Sequence, residues 1–401
     1  MSITPQKGTV NGCPVVHFDH HDPDVAADER RAHYEELRAT CPVAYVDLYG
    51  GFYLASAYDA VRTVASKNDQ FISGDGIFVP PSGLPRVPAL EFDGDEHTTW
   101  RALMNDLLNP RAVKDLEPMV VEVVDAQLST FAARGHADLV TDFAHPVPGI
   151  VIGRLVGLDQ PDSLQSQKLA EATFASIGSS GFDDAMAAFA DFTLSRLHER
   201  RENPTGDFLS ALAAGSYGGM TFDDESAFQL FLALLGGGFH STASGISGLL
   251  HHVLTNPEAR ERVTSSTQDL SRAVDESLRL TTPLQLFART VTDSATFGDA
   301  VIPSGSRILM NYAAANRDPD VFESPGEFSL DRRRNPHVAF GGGTHVCVGQ
   351  HLARLEMRTA LTRLLTRLPD VELSDDAEFS GLISGQLTNI VRMPARFTPE
   401  A

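Results

Sequence analysis

The chain has 401 residues, 42% hydrophobic and 21% charged, an ordinary globular balance with enough apolar material for a sizeable core. Lys and Arg number 32 against 53 Asp and Glu, and the net charge of -21 argues against nucleic acid as a partner, because phosphate binding needs a basic surface. Cys13, Cys41 and Cys347 are too few for a disulfide framework, which points to a reducing, cytoplasmic setting.

Residues 1–25 are polar and interrupted by Pro5, Pro14 and Pro23, so they read as an extended N-terminal segment without a signal peptide. Residues 27–40 carry helical spacing and stop at Pro42. A short strand at 52–54 and a helix at 58–66 follow. Residues 74–88 are rich in Pro and Gly and form a long irregular loop, a kind of segment that is usually functional. Helices are expected over 97–108, 113–133, 143–156, 164–176 and 183–201, then a flexible break at 215–219. The longest helix is expected over 222–255, capped by Thr221 and stopped by Pro257. Another covers 270–281, short strands fill 291–310, and a last helix runs from near Cys347 to Leu368. No apolar run is long enough to span a membrane. The fold class is mainly α with small β-sheets, in a single domain, 1–401.

The segment Phe340-Gly341-Gly342-Gly343-Thr344-His345-Val346-Cys347-Val348-Gly349 carries the chemistry. Its glycines permit an unusual backbone and the close approach of a flat ligand. Cys347 falls at the amino end of the last helix, where free N–H groups and the helix dipole favour a metal-binding thiolate.

This segment resembles the haem-binding motif of the cytochrome P450 family, and other features follow in the family's order over nearly the whole chain. The resemblance implies haem b, with Cys347 as the proximal iron ligand, Phe340 packed near the sulfur, and Gly341 and Gly349 in the loop. Such a thiolate makes the iron electron-rich and favours O–O cleavage. Glu276 and Arg279, three apart on one helical face, match the family's Glu-x-x-Arg pair, with Arg332 as its third member in a structural ion network. His97, Arg101, Arg289 and His345 match positions that contact the haem propionates. The haem is then expected between the long oxygen-side helix and the thiolate-side helix.

Gly236, Gly237, Gly238, Gly245 and Gly248 lie in the long helix. Interior glycines cost about 1 kcal/mol each relative to alanine, so they want a reason, and passage over a flat cofactor supplies one, at Gly238 above all. The family usually has an acid followed by threonine here; this chain has His240 and Ser241, with Thr242 one step on. Serine can still hydrogen-bond, and a neutral histidine can pass protons, but neither carries fixed negative charge. His240, Ser241 and Thr242 are therefore the catalytic candidates, either as a modified relay or with protons supplied through the substrate.

The resemblance also implies a substrate pocket containing Ile77, Phe78, Leu84, Phe174, Leu234, Leu284, Leu286 and Phe287, suited to a small hydrophobic, natural-product or terpenoid-like molecule. Arg86 or Gln285 would hold a polar group of it. Dioxygen is the co-substrate. Electrons are expected from a separate ferredoxin or flavodoxin and its reductase, steered by Arg332, Arg333, Arg334, Arg354 and Arg358. The alternatives are a peroxide-dependent or non-hydroxylating haem-thiolate enzyme (coupling, desaturation, isomerisation), or a non-catalytic haem sensor or carrier.

Overall fold

The computed structural model describes residues 5–400 apart from 376, 381 and 389. Helices α1 (Ala27–Thr40) and α2 (Tyr58–Ser66) lie where the periodicity puts them, and α3 (Gly94–Leu108) follows the irregular loop. Residues 113–133 are not one helix. They form α4 (Pro110–Asp115), α5 (Glu117–Ser129) and a 3-10 turn at Ala132–Arg134. Pro118 explains the split: in the first turn of α5 its missing N–H is harmless, whereas inside a helix it would break the ladder. Pro146 likewise starts α6 (Pro146–Val156), behind a π-helical turn at Val140–Ala144. Helices α7 (Gln160–Ala175), α8 (Phe182–Glu202) and α9 (Phe208–Ala213) complete this part. The expected loose break at 215–219 is a tight hairpin pairing Ser216–Tyr217 with Met220–Thr221.

The long helix is broken. α10 (Asp224–Gly238) and α11 (His240–Leu254) meet at Phe239. Three successive glycines weaken the helix just before the break. The Ser241 hydroxyl then donates to the Gly237 carbonyl at 3.2 Å, a local bond that competes with the backbone ladder. The start also differs from expectation. Asp223, not Thr221, caps α10, in a reciprocal capping box with Ser226, because Thr221 is engaged in the hairpin. α12 (Pro257–Ser265), α13 (Thr267–Thr281), α14 (Tyr312–Ala315) and α15 (Gln350–Arg367) follow. α11 packs against α13 and α15, and α10 against α6 and α7.

The N-terminal segment is not a free extension. Pro5–Val10 and Cys13–Val16 pair as a hairpin and join a seven-stranded sheet; residues 1–4 lie outside the described ones. The sheet continues through Val43–Val46, Phe52–Ala55, Arg307–Asn311, Leu286–Val291 and Phe71–Ile72. The strand Leu286–Val291 begins earlier than the sequence pattern indicates, antiparallel to Arg307–Asn311, with Ile308 opposite Arg289 and Met310 opposite Phe287. Alternation along this strand sends Phe287 and Arg289 to one face and Leu286 and Ala288 to the other. The main core lies among the helices, and two smaller apolar clusters cover the faces of the sheet.

Candidate active site

A cavity runs between α11 and α15, with Cys347 in its floor and Ser241 and Thr242 in its opposite wall. Cys347 sits three residues before α15 and its backbone N–H donates to the Phe340 carbonyl at 2.9 Å. That bond closes the loop and holds Phe340 beside the sulfur. Gly343 requires its residue type twice over: φ is +66°, and a Cβ there would lie 2.5 Å from the Ala65 carbonyl oxygen. The Cys347 side chain opens onto the cavity although the residue lies deep in the protein. Burial pushes its thiol above the usual range, against the pull of the Gly349 N–H, the Arg101 and Arg354 charges and the Gln350 N–H. The helix end alone therefore does not make a thiolate here; a bound metal would, since coordination deprotonates a thiol outright.

On one rim stand four cationic or ring-nitrogen groups. Arg101 and Arg289 face the cavity, as does His345, and the His97 ring lies against that of His345 with centroids 4.2 Å apart. His97 itself is buried behind the cavity wall. Arg101 donates to the Val346 carbonyl and Arg289 to the Ser73 hydroxyl. Asp93 is the acid near them, 3.6 Å from His345 Nε2, with its oxygens largely used by the N–H groups of Ser73 and Gly74. His97 Nε2, Arg289 Nε and His345 Nδ1 are buried and without a hydrogen-bond partner among the described residues. Burial pushes His345 down to about 4, helped by Arg289 and His97. A buried guanidinium N–H and two imidazole nitrogens left unpaired beside it call for an anionic, hydrogen-bond-accepting ligand.

Behind the loop, Glu276 and Arg279 are buried at 1% and 0% exposure, so their pair is not a surface bridge. Arg279 donates to both Glu276 oxygens at 2.8 and 2.9 Å, and Arg332 Nε to the same two at 2.9 and 3.1 Å. Asn335 and the Ser329 N–H complete the carboxylate, and Arg279 reaches the carbonyls of Asn316, Pro325 and Glu327. Burial alone would raise the Glu276 carboxyl; the two arginines more than offset it and hold it below its usual range. This network uses Arg332, and Arg354 is bound to Asp275 at 2.9 Å, so two of the five arginines read as a surface cluster are engaged internally.

The cytochrome P450 family model matches residues 173–378. The steroid C26-monooxygenase of Mycolicibacterium smegmatis is 32% identical over 92% of this chain and 93% of that protein. The beta-dihydromenaquinone-9 omega-hydroxylase of Mycobacterium bovis is 31% identical, over 95% of this chain and 78% of that protein. The chain belongs to the cytochrome P450 family. It is a haem-thiolate oxidoreductase, and its fold is that of the family: a Mycobacterium marinum cytochrome P450 in complex with pseudoionone superposes with a TM-score of 0.84 at 26% identity, covering 93% of this chain and 95% of that one. The site fits a P450 haem. A sulfur stands in the floor, and the unpaired donors of His97, Arg289 and His345 suit the two propionates.

The P450 cavity also corrects several expectations. His240 does not line it; its ring faces His145, centroids 6.0 Å apart, on the far side of α11. At about 100° per residue, His240 lies about 100° from Ser241 and about 200° from Thr242, which turns it away from the wall those two share. Gly238 reaches the cavity, but a Cβ there would meet Ile152 at 3.0 Å, and at Gly245 and Gly248 it would meet Met357 and Thr281. These glycines serve helix packing, and Gly237 is the one whose Cβ position opens on free space. Ile77, Phe78, Leu84, Phe174, Leu234, Leu284 and Phe287 all line the wall. Leu286 does not, because strand alternation turns it into the sheet core. Neither Arg86 nor Gln285 lines the wall: Arg86 is bound to the Glu91 carbonyl, and Gln285 to Tyr34 and Thr388.

The turn at 383–387, expected from the sequence to line the pocket, supplies Ser384 and Gln386, whereas sequence reasoning missed Glu356 and Tyr312 in the wall. Glu356 is 2% exposed with Oε2 unpartnered, and burial pushes its carboxyl well above the usual range. A glutamate on an otherwise apolar helical stripe, one residue before Met357, was the available signal. No helix of the described residues is long and apolar enough to cross a membrane.

Proposed function

We propose that this protein is a single-domain monooxygenase, 1–401, that hydroxylates a small hydrophobic molecule, of natural-product or terpenoid type, and that Cys347 would hold the iron of haem b through its sulfur. One observation carries the reading: a cysteine sulfur stands in the floor of an apolar cavity whose rim holds unpaired arginine and histidine nitrogens and whose opposite wall holds two hydroxyls. Haem bound here supplies oxygen activation with two external electrons. The protein's residues do the rest. His97, Arg101, Arg289 and His345 bind and orient the propionates. Phe340 and the loop glycines fix the sulfur. Ser241 and Thr242 hold and donate protons at their hydroxyl oxygens. Ile77, Phe78, Leu284 and Phe287 orient an apolar substrate and exclude water. The names of the relatives, a steroid monooxygenase and a menaquinone hydroxylase, agree with an apolar ligand. A ferredoxin or flavodoxin with its reductase would deliver the electrons, in the cytoplasm.

The test is spectroscopic. The reduced, carbon-monoxide-bound protein is expected to show the strongly red-shifted Soret band of thiolate-bound haem, and Cys347→His to abolish it. A histidine-like spectrum in the wild type would remove the assignment. Terpenoids and steroids that shift the ferric spectrum to high spin then identify the substrate class. Efficient turnover with hydrogen peroxide alone would favour the peroxide-dependent alternative.

A further inference from the structure

The His240 side chain faces away from the cavity, into a cluster that the catalytic reading leaves unused. His145 precedes α6 and its side chain is 37% exposed. Its Nε2 lies 3.0 Å from Oε1 of Glu171 on α7, whose side chain is 24% exposed. The His145 and His240 rings meet edge to face. His240 begins α11, and the next residue, Ser241, is in the cavity wall. The three groups thus form a cluster that runs from the surface to the helix break, one residue along the chain from the wall.

We propose that His145, Glu171 and His240 form the path by which protons pass from solvent to the Ser241 side of the cavity, with Glu171 as its acid. This rests on the monooxygenase reading, in which oxygen activation consumes protons.

Two further observations support it. Glu171 Oε1 and His240 Nδ1 are both buried, and neither has an aligned hydrogen-bond partner among the described residues. The 3.0 Å approach of His145 Nε2 is therefore off the line of a good hydrogen bond, and Glu171 keeps accepting capacity. A cluster serving packing alone would satisfy both atoms. Gln167 is the neighbour that steadies the group: its Nε2 donates to the His145 carbonyl at 3.0 Å.

The second observation is electrostatic. Burial pushes His240 down to about 4, with Glu171 pulling it up and His145 pushing it down; these are the titratable groups that act on it. Glu171 is raised by burial but lowered more by the neighbouring His145 and Gln167 side chains and by His240, so it is an anion at neutral pH. A neutral imidazole beside a carboxylate does not trap a proton. It accepts one at one nitrogen as it releases another. The route crosses the helix at the break, where the first turn of α11 has N–H groups free of intrahelical partners. No electron moves: each proton taken up at His145 displaces one along Glu171 and His240, and one leaves toward the Ser241 hydroxyl.

The experiment uses the holoenzyme with surrogate redox partners. Glu171→Gln keeps shape and removes the acid. Expected is a fall in coupled kcat on the order of 100-fold with KM little changed, a larger solvent deuterium isotope effect, and more peroxide. Glu171→Asp is expected to recover much of the loss. A readout apart from turnover is the C–O stretch of the reduced, carbon-monoxide-bound protein. Its pH response between about pH 5 and about pH 8 is expected in the wild type and lost in Glu171→Gln. If Glu171→Gln fails to take up haem, His145→Gln carries the same expectations at the outer end. A variant matching the wild type in kcat, isotope effect and C–O pH response overturns the path. Absence of the red-shifted Soret band in the wild type would instead overturn the monooxygenase reading on which it rests.

Discussion

The two sides of the cofactor cavity are built to different standards. On the thiolate side, Glu276 receives bonds from Arg279, Arg332, Asn335 and the Ser329 N–H, and Arg279 reaches three carbonyls besides. On the oxygen side the long helix is broken at Phe239, Ser241 bonds only back to Gly237 among the described residues, and His240 Nδ1 has no partner. Satisfied buried networks hold one geometry. Unsatisfied ones retain groups free to exchange protons. The contrast assigns rigidity to the metal side and proton traffic to the other.

The sharpest way to break this comparison is Glu276→Ala. It leaves Arg279 buried and uncompensated, so a loss of about 3–5 kcal/mol is expected, read by denaturant unfolding together with loss of the red-shifted Soret band. A loss below about 1 kcal/mol would show that the network does not frame the loop. Arg289→Ala comes next. Removing a buried donor to a propionate should cost about 1.5–3 kcal/mol of haem retention, measured by haem transfer to apomyoglobin. Retention equal to wild type would mean that the unpaired donors serve another anion.

Glu356 is the exception on the thiolate side, a buried carboxyl without a partner for one oxygen. Its folded carboxyl lies well above the ordinary 4.5 because of burial. The folded state therefore binds this proton more tightly than the unfolded state does. Stability is fully present below about pH 4.5 and falls as pH rises toward the folded value, by up to about 1.4 kcal/mol per pH unit. Glu356→Gln should flatten that slope in unfolding measured across pH, and an unchanged slope would refute the neutral form. Ser241→Ala is expected to be the mildest change. It should leave stability within about 0.5 kcal/mol while raising peroxide released per electron consumed, and unchanged coupling would remove Ser241 from the proton path.

The same divide governs what could be read from the sequence. The thiolate side is written in contiguous motifs: the ten residues ending at Gly349, and the Glu276–Arg279 pair at helical spacing. Local patterns of this kind survive folding, and the structure brings all of them together. The oxygen side depends on which face of a helix a residue occupies. His240 was legible as a departure, but its neighbours Glu171 and His145 come from distant segments and carry no local signature. The break at Phe239 was hidden for a related reason, since apolar periodicity continues through it. Leu286 failed because the start of its strand was not recognised, and without it the alternation could not be applied. Pro118 and Pro146 were visible helix starts that periodicity alone overran.

Gly343 presses the thiolate loop against the backbone of Ala65 and Ser66, and Arg101 on α3 reaches across 245 positions to the Val346 carbonyl. The pocket floor is thus assembled from segments far apart in the chain. Such contacts close late and slowly in folding, since each must overcome the entropy of a long loop. During synthesis, cofactor capture has to wait for nearly the entire chain. A nascent protein stalled before residue 340 would hold the oxygen-side helix and the propionate arginines, yet have no sulfur to offer the iron.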